Sequence, residues 1–187
     1  MKEKLLDAAE ELVQARGLNG VTFQDLADAV GLRKPSVFHH IRNKEELASA
    51  LIERCGTKHG PQYAAVVEAE AGAAEKLRRI AGIFEKGLKG GRPCLLAAIG
   101  SGLDSLSPSG VQQLKGAADA SVTRFAEVFT QGRRDGTLSF EGSPTHAAMG
   151  FFAMLQGLQT LCRAKGDTKA FKKAASSYID SITVQSR

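Results

Sequence analysis

The sequence predicts an all-α protein of about nine helices, and three observations carry that expectation. Apolar residues recur at spacings of three and four along most of the chain, the period of one helix face. Helix-start signals punctuate it: Thr22 before Asp25, Asn43 before Glu46, and the pairs Ser107-Pro108 and Ser143-Pro144. No stretch alternates apolar and polar residues as a half-buried strand does.

The first helix is expected from about Lys2 to Arg16, burying Leu5, Leu6, Ala9, Leu12 and Val13, with Gly17 and Leu18 closing it. The second starts at Thr22, whose hydroxyl can satisfy a free backbone N–H. It sets Phe23, Leu26, Ala27 and Val30 on one face and ends at Gly31, where a left-handed backbone is cheap. A third is expected from about Lys34 to Ile41, with Pro35 tolerated in the first turn. At about 100° per residue, Val37 and Ile41 point inward while Pro35, Ser36 and His39 point away. Asn43 caps the fourth, with Glu46 at the reciprocal position and Leu47, Leu51 and Ile52 on its apolar side. Gly60-Pro61 is expected to kink or end that helix, and a weaker stretch over 62–70 to continue it.

Leu77, Ile80, Ala81, Phe84 and Leu88 define the next helix, closed by Gly90-Gly91. Cys94, Leu95, Leu96, Ile99 and Leu103 mark a short, largely buried one after Pro93. Ser107-Pro108 opens a long helix to about Asp135, carrying Val111, Leu114, Ala118, Val122, Phe125 and Phe129 and stopped by Gly136. Ser143-Pro144 opens another, with Ala147, Phe151, Met154, Leu155, Leu158 and Cys162. Asp167 or Thr168 opens the last, with Phe171, Ala175, Tyr178, Ile179 and Ile182.

The 187 residues are 43% hydrophobic and 24% charged, which is ordinary for a soluble chain and enough for one large or two small helical units. The net charge of +5 is unevenly spread. Residues 1–55 hold eight Lys/Arg against nine Asp/Glu, and residues 56–187 hold seventeen against eleven, so overall basicity is no sign of nucleic acid. Cys55, Cys94 and Cys162 are odd in number and far apart, which argues against a disulfide framework or a zinc site and suits a reducing compartment. The N-terminus is charged too early for a signal peptide, and no apolar run nears the roughly 18 residues of a membrane span. A cytoplasmic protein is expected.

Local charge is more telling. Two short helices turned on a Gly make a helix-turn-helix, in which the second helix enters the major groove of DNA. From Ala29 to Lys44 the chain has Arg33, Lys34, Arg42 and Lys44 and no acid, a patch suited to a line of phosphates. An ordinary three-helix core with a solvated basic face has the same spacing.

Residues 5–51 resemble the DNA-binding domain of the TetR family of bacterial one-component repressors. The resemblance rests on Gly17-Leu18-Asn19-Gly20-Val21-Thr22, on Leu26-Ala27, on Gly31 and on the run from Pro35 to Leu47. It implies that Thr22, His40 and Lys44 touch phosphates and that Gln24, Lys34, Pro35, Ser36 and His39 face the major groove. Gln24 can bond an adenine edge, and Pro35 can meet a thymine methyl. Two positions depart from the pattern. Phe38 replaces a Tyr whose hydroxyl often bonds a phosphate, and Arg33 replaces a capping Ser while offering a phosphate or base contact of its own.

The resemblance further implies a helix-turn-helix domain over 1–46 and a helical effector-binding and dimerisation domain over 47–187. A ligand-responsive repressor of a palindromic operator follows, with no cofactor and no metal. Tyr63, Phe84, Cys94, Leu103, Phe125 and Phe129 are the candidate pocket residues, and two Tyr with no Trp point to an apolar or aromatic effector. Phe151, Met154, Leu158, Phe171, Tyr178 and Ile179 are the candidate homodimer contacts, with Ala147, Ala148, Gly150, Ala153 and Gly157 allowing close helix approach. An intramolecular core is the alternative use of these residues.

The segment from Arg92 to Asp104 more loosely resembles a TetR subgroup in which a cysteine senses electrophiles or oxidants, although Arg92-Pro93 replaces the usual glycine. A Cys94-based sensor is therefore one alternative. A helical enzyme or carrier with a degenerate helix-turn-helix is another, but no P-loop, G-x-S-x-G or H-E-x-x-H is present. His39 and His40 diverge by about 100° on a helix and cannot easily share a metal.

Overall fold

The start signals act as caps. In the computed structural model, which describes residues 1–184, Thr22 forms a complete capping box with Asp25 ahead of α2 (Phe23–Val30). Asn43 Oδ1 accepts the Glu46 N–H at 2.8 Å where α4 (Lys44–Glu68) begins. The Glu46 carboxylate returns to the N–H of Arg42, one residue before the expected partner. Ser143 accepts from His146 ahead of α8 (Pro144–Lys165), and Asp167 accepts from Lys169 and Ala170 as α9 (Lys169–Ile182) begins. The other helices are α1 (Lys2–Arg16), α3 (Lys34–Phe38), α5 (Ala73–Lys89), α6 (Leu95–Gly100) and α7 (Pro108–Arg134), with a 3-10 turn at Leu103–Ser105. Among the described residues the one extended pairing is an isolated bridge between Leu138 and Thr183.

One expected helix end is corrected, and the kink or end expected at Gly60-Pro61 resolves to a continued helix. α3 stops at Phe38 rather than Ile41, because the N–H groups of His40 and Ile41 both converge on the Val37 carbonyl and close the helix. That tight end still buries Ile41 completely. Gly60-Pro61 does not end α4, which continues to Glu68 with Pro61 inside it. Pro61 has no N–H to give the preceding turn, while the Gly60 carbonyl is held by Arg124 Nη1 at 2.6 Å.

The chain separates into two compact units, each assembled from two segments. The first holds Met1–Lys58 and Gly91–Ala118. Its core joins Leu5, Ala9, Val13, Leu18, Leu26, Val37, Ile41, Leu47 and Leu51, all at most 1% exposed. The second segment is fixed to α1 by Gln14 Nε2, which donates to the Pro93 carbonyl at 2.7 Å, and by the Leu18 N–H on the Ala98 carbonyl. Glu10, buried on α1, accepts from Arg54 and Lys58 of α4.

The other unit holds His59–Gly90 and the chain from Asp119 onward, in which α5, α8 and α9 pack together. Phe125, Phe129, Phe151 and Phe171 are its largest fully buried side chains. Buried Lys76 donates to the Val67 carbonyl and to Gln131 Oε1, and Gln131 donates to the Ala71 carbonyl, so the end of α4 is tied to α5 and α7.

Candidate nucleic-acid interface

α2 and α3 make the turn expected of a helix-turn-helix. Gly31 takes φ 70°, ψ 31°, a left-handed residue between the helices that a side chain would strain. Gly20, just before α2, lies so close to the Arg16 carbonyl that any Cβ would collide with it. Leu26, Ala27 and Val37 are buried beneath the pair. Above it, Gln24, Arg33, Lys34, Pro35, Phe38 and His39 are exposed, and Ser36, His40 and Lys44 are half-buried. All of them, with exposed Thr22, belong to the first compact unit.

Each contact has its own local cause. Thr22 Oγ1 accepts the Asp25 N–H at 3.1 Å and donates to the Asp25 carboxylate at 2.6 Å. The Thr22 hydroxyl, then the Thr22 N–H, and to a smaller degree Arg16 hold the Asp25 carboxyl below its ordinary range. Arg33 stands at the start of α3, where its guanidinium, which only donates, caps none of the free N–H groups. Phe38 stacks on Phe23. Lys44 Nζ donates to the Asn19 carbonyl at 3.2 Å.

Three partners lay outside the sequence reading. Gln24 Nε2 donates to Asp28 Oδ1 at 2.7 Å, an i,i+4 pair whose spacing was visible in the sequence. Asn19 Nδ2 donates to Asp104 at 3.0 Å, and Ser105 Oγ also bonds Asn19. Those contacts span more than eighty residues, and no local pattern announces them.

The expected pocket residues do not gather as one set. Tyr63, Phe84 and Phe125 converge in the second unit, with Tyr63 edge-on to Phe125 at 5.1 Å and stacked beside Phe84 at 6.3 Å. Phe129 is fully buried there against Phe140 and Phe151. Cys94 and Leu103 belong to the first unit, because the chain from Gly91 to Ala118 packs with α1. Leu103 is exposed on the 3-10 turn. Burial first, and the neighbouring Cys94 second, push the Cys55 thiol up to about 12.

The dimer set divides as well. Phe151, Phe171 and Ile179 are consumed by the core of their own unit, whereas Met154, Leu158 and Tyr178 are half-buried. The open side of α8 instead carries Met149, Gly150, Ala153, Gly157 and Leu161, with Met149 and Leu161 more than half exposed. Among the described residues no group of three or more His, Cys, Asp or Glu could hold a metal, and no helix is long and apolar enough to cross a membrane.

A short helix joined to a capped partner helix through a left-handed Gly is the geometry of a helix-turn-helix. Comparison with known proteins narrows the class. Residues 5–51 match the family described as bacterial regulatory proteins, tetR family. The negative transcriptional regulator IcaR of the biofilm operon icaADBC, from Staphylococcus epidermidis, is 36% identical over 55 residues, 29% of this chain and 30% of that protein. The class D tetracycline repressor from Escherichia coli is 34% identical over 58 residues, 31% of this chain and 27% of that protein. The chain thus spans less than a third of the length of these curated relatives. A TetR-family transcriptional regulator from Agrobacterium tumefaciens superimposes with a TM-score of 0.91 at 23% identity, covering 98% of this chain and 97% of the other. The match to the tetR family thus covers residues 5–51, and the chain as a whole has the fold of the Agrobacterium tumefaciens regulator.

Proposed function

We propose that the protein is a transcriptional repressor that binds a palindromic operator as a homodimer and is released by a small-molecule effector. The observation that carries this reading is the exposure of Gln24, Lys34, Pro35 and His39, with half-buried Ser36 and Lys44, around the α2–α3 turn. The names of the matched relatives, a negative regulator and a tetracycline repressor, supply the direction of control. Residues 1–46 serve as the DNA-binding domain and 47–187 as the effector-binding and dimerisation domain. The reading needs neither cofactor nor metal, and it places the protein in the cytoplasm with its DNA.

Two recognition helices about one helical turn of DNA apart read a palindrome, so a second copy is part of the mechanism. The open side of α8, with Gly150, Ala153 and Gly157 between Met149 and Leu161, is the surface on which that copy packs. Tyr63, Phe84 and Phe125 supply an aromatic lining for an apolar or aromatic effector. Release requires that the effector bind the non-DNA conformation better, by about 1–3 kcal/mol for ordinary coupling.

Footprinting on the DNA upstream of its own coding sequence, repeated across salt concentrations, tests the reading. A protected palindrome with steeply salt-dependent affinity is the expected result. Uniform binding to unrelated duplexes would remove it.

A further inference from the structure

We propose that Asp28 is a specificity-determining residue that sets the orientation of the Gln24 amide, and with it the base pair that α2 reads. The inference rests on the operator-binding reading above. The geometry is a 2.7 Å bond from Gln24 Nε2 to Asp28 Oδ1, one helical turn along the same exposed face of α2.

A glutamine amide is nearly symmetric in shape and opposite in chemistry at its two ends, so a free side chain can present either end to a base. A carboxylate accepts hydrogen bonds only. It holds the amide nitrogen and repels the amide oxygen, so the flipped amide is disfavoured while Asp28 is ionised. Nε2 carries two protons. With one donated to Asp28, the other remains beside Oε1, and together they form one donor and one acceptor.

That pair matches adenine in the major groove, which offers the N7 acceptor and the N6 donor side by side. Guanine presents two acceptors, N7 and O6, and a pinned oxygen would face one of them. Asp28 therefore acts through Gln24 as a positioning residue. It also places a negative charge on a surface that approaches phosphates, so it opposes binding to every sequence alike.

The test uses the full chain and a randomised duplex library. The recovered site and its single-base substitutions are then measured with wild type, Asp28→Ala, Asp28→Asn, Gln24→Ala and Gln24→Ala/Asp28→Ala. Wild type is expected to prefer adenine at one position of each half-site by about tenfold, the lower range of a bidentate contact. Asp28→Ala should reduce that preference to about twofold at that position alone, while strengthening binding to all sequences. Asp28→Asn, whose amide donates as well as accepts, no longer disfavours the flipped Gln24 amide, so it should gain affinity and lose the preference as Asp28→Ala does. In the Gln24→Ala background, Asp28→Ala should leave base preference unchanged.

A purely structural role for Asp28 would change melting temperature, and not one column of a base-preference profile. An Asp28→Ala profile identical to wild type overturns the proposal and leaves operator binding intact. Preference lost equally at every position overturns it too. Failure of wild type to recover any site removes both readings.

Discussion

Phe38 lies nearly flat against Phe23, with ring centroids 4.7 Å apart and planes within 19° of parallel. The stack joins α3 to α2, and Phe38 remains 41% exposed. Phe38→Ala should destabilise the protein by about 1–2 kcal/mol, read by thermal melting, since a ring pair is worth about 0.5–1.5 kcal/mol beyond its buried area. Phe38→Tyr keeps the stack and adds an exposed hydroxyl. It should tighten operator binding with little change in melting, and equal affinity would show that no phosphate lies within reach.

Asp25 links pH to the entry of α2. Its folded carboxyl is held below the ordinary value, so its stabilising contribution is complete above the unfolded pKa and is lost as pH falls through the lowered folded pKa. An NMR titration of the Asp25 carboxyl should show this depression. Thr22→Val, which removes the hydroxyl that contributes most, should move the titration upward. An unmoved midpoint would show that the N–H of residue 22 and Arg16 carry the effect.

Lys44 and Gln24 should fail in different ways. Lys44→Ala removes one phosphate contact, weakens binding to every sequence and lowers the salt slope by about one. Gln24→Ala should cost about 1–3 kcal/mol at one base position and leave the salt slope unchanged. Competition binding on base-substituted operators separates the two. The same profile for both variants would mean that one has been assigned the wrong partner.

Assembly can be separated from folding with two substitutions. Leu161 is exposed on α8, so Leu161→Glu should yield a folded monomer with weak operator binding. Ile179 is 1% exposed inside its unit, so Ile179→Glu buries an unpaired carboxylate and should lower the melting temperature sharply. Sedimentation and circular dichroism read the two outcomes. A Leu161→Glu protein that stays dimeric would move the interface off this face.

Thiol reactivity should be unequal. A Cys55 thiol pushed up to about 12 stays protonated throughout the physiological range, and the thiolate is the nucleophile. Iodoacetamide at pH 8, followed by mass spectrometry, should leave Cys55 in the folded protein essentially unmodified. Effector release that is unchanged in Cys94→Ser would leave that residue as packing.

Most helices were legible because their signals are local. Thr22 with Asp25, Ser143 ahead of Pro144 and the apolar stripe from Leu77 to Leu88 each act within a turn or two of their own position. The end of α3 was not legible, because Val37 serves as acceptor for both His40 and Ile41 only once Ile41 is drawn into the core. At Pro61 both a kink and an end were open, and the helix runs through it. Among the candidate site residues, the outward placing of Pro35 and His39 followed from periodicity, whereas Thr22, Gln24, His40 and Lys44 were named from the family resemblance. The division of the pocket and dimer sets did not follow from periodicity, which finds an apolar face without saying which neighbour covers it. Phe151 and Leu161 are both apolar residues on α8, and only the packing of α9 and α5 tells them apart.

The seating of α6 on α1 bears on how the domain can be transplanted. Gln14 is anchored on the Pro93 carbonyl, Leu18 on that of Ala98 and Asn19 on Asp104, so the compact unit that carries the proposed DNA-binding head includes chain that returns to it after residues 59–90. A chimaera cut at the end of the sequence match, after residue 51, would leave those anchors facing a foreign surface. Hybrid regulators built from this head should carry residues 91–118 along with 1–58. Chimaeras made both ways should differ in soluble yield before any operator is tested.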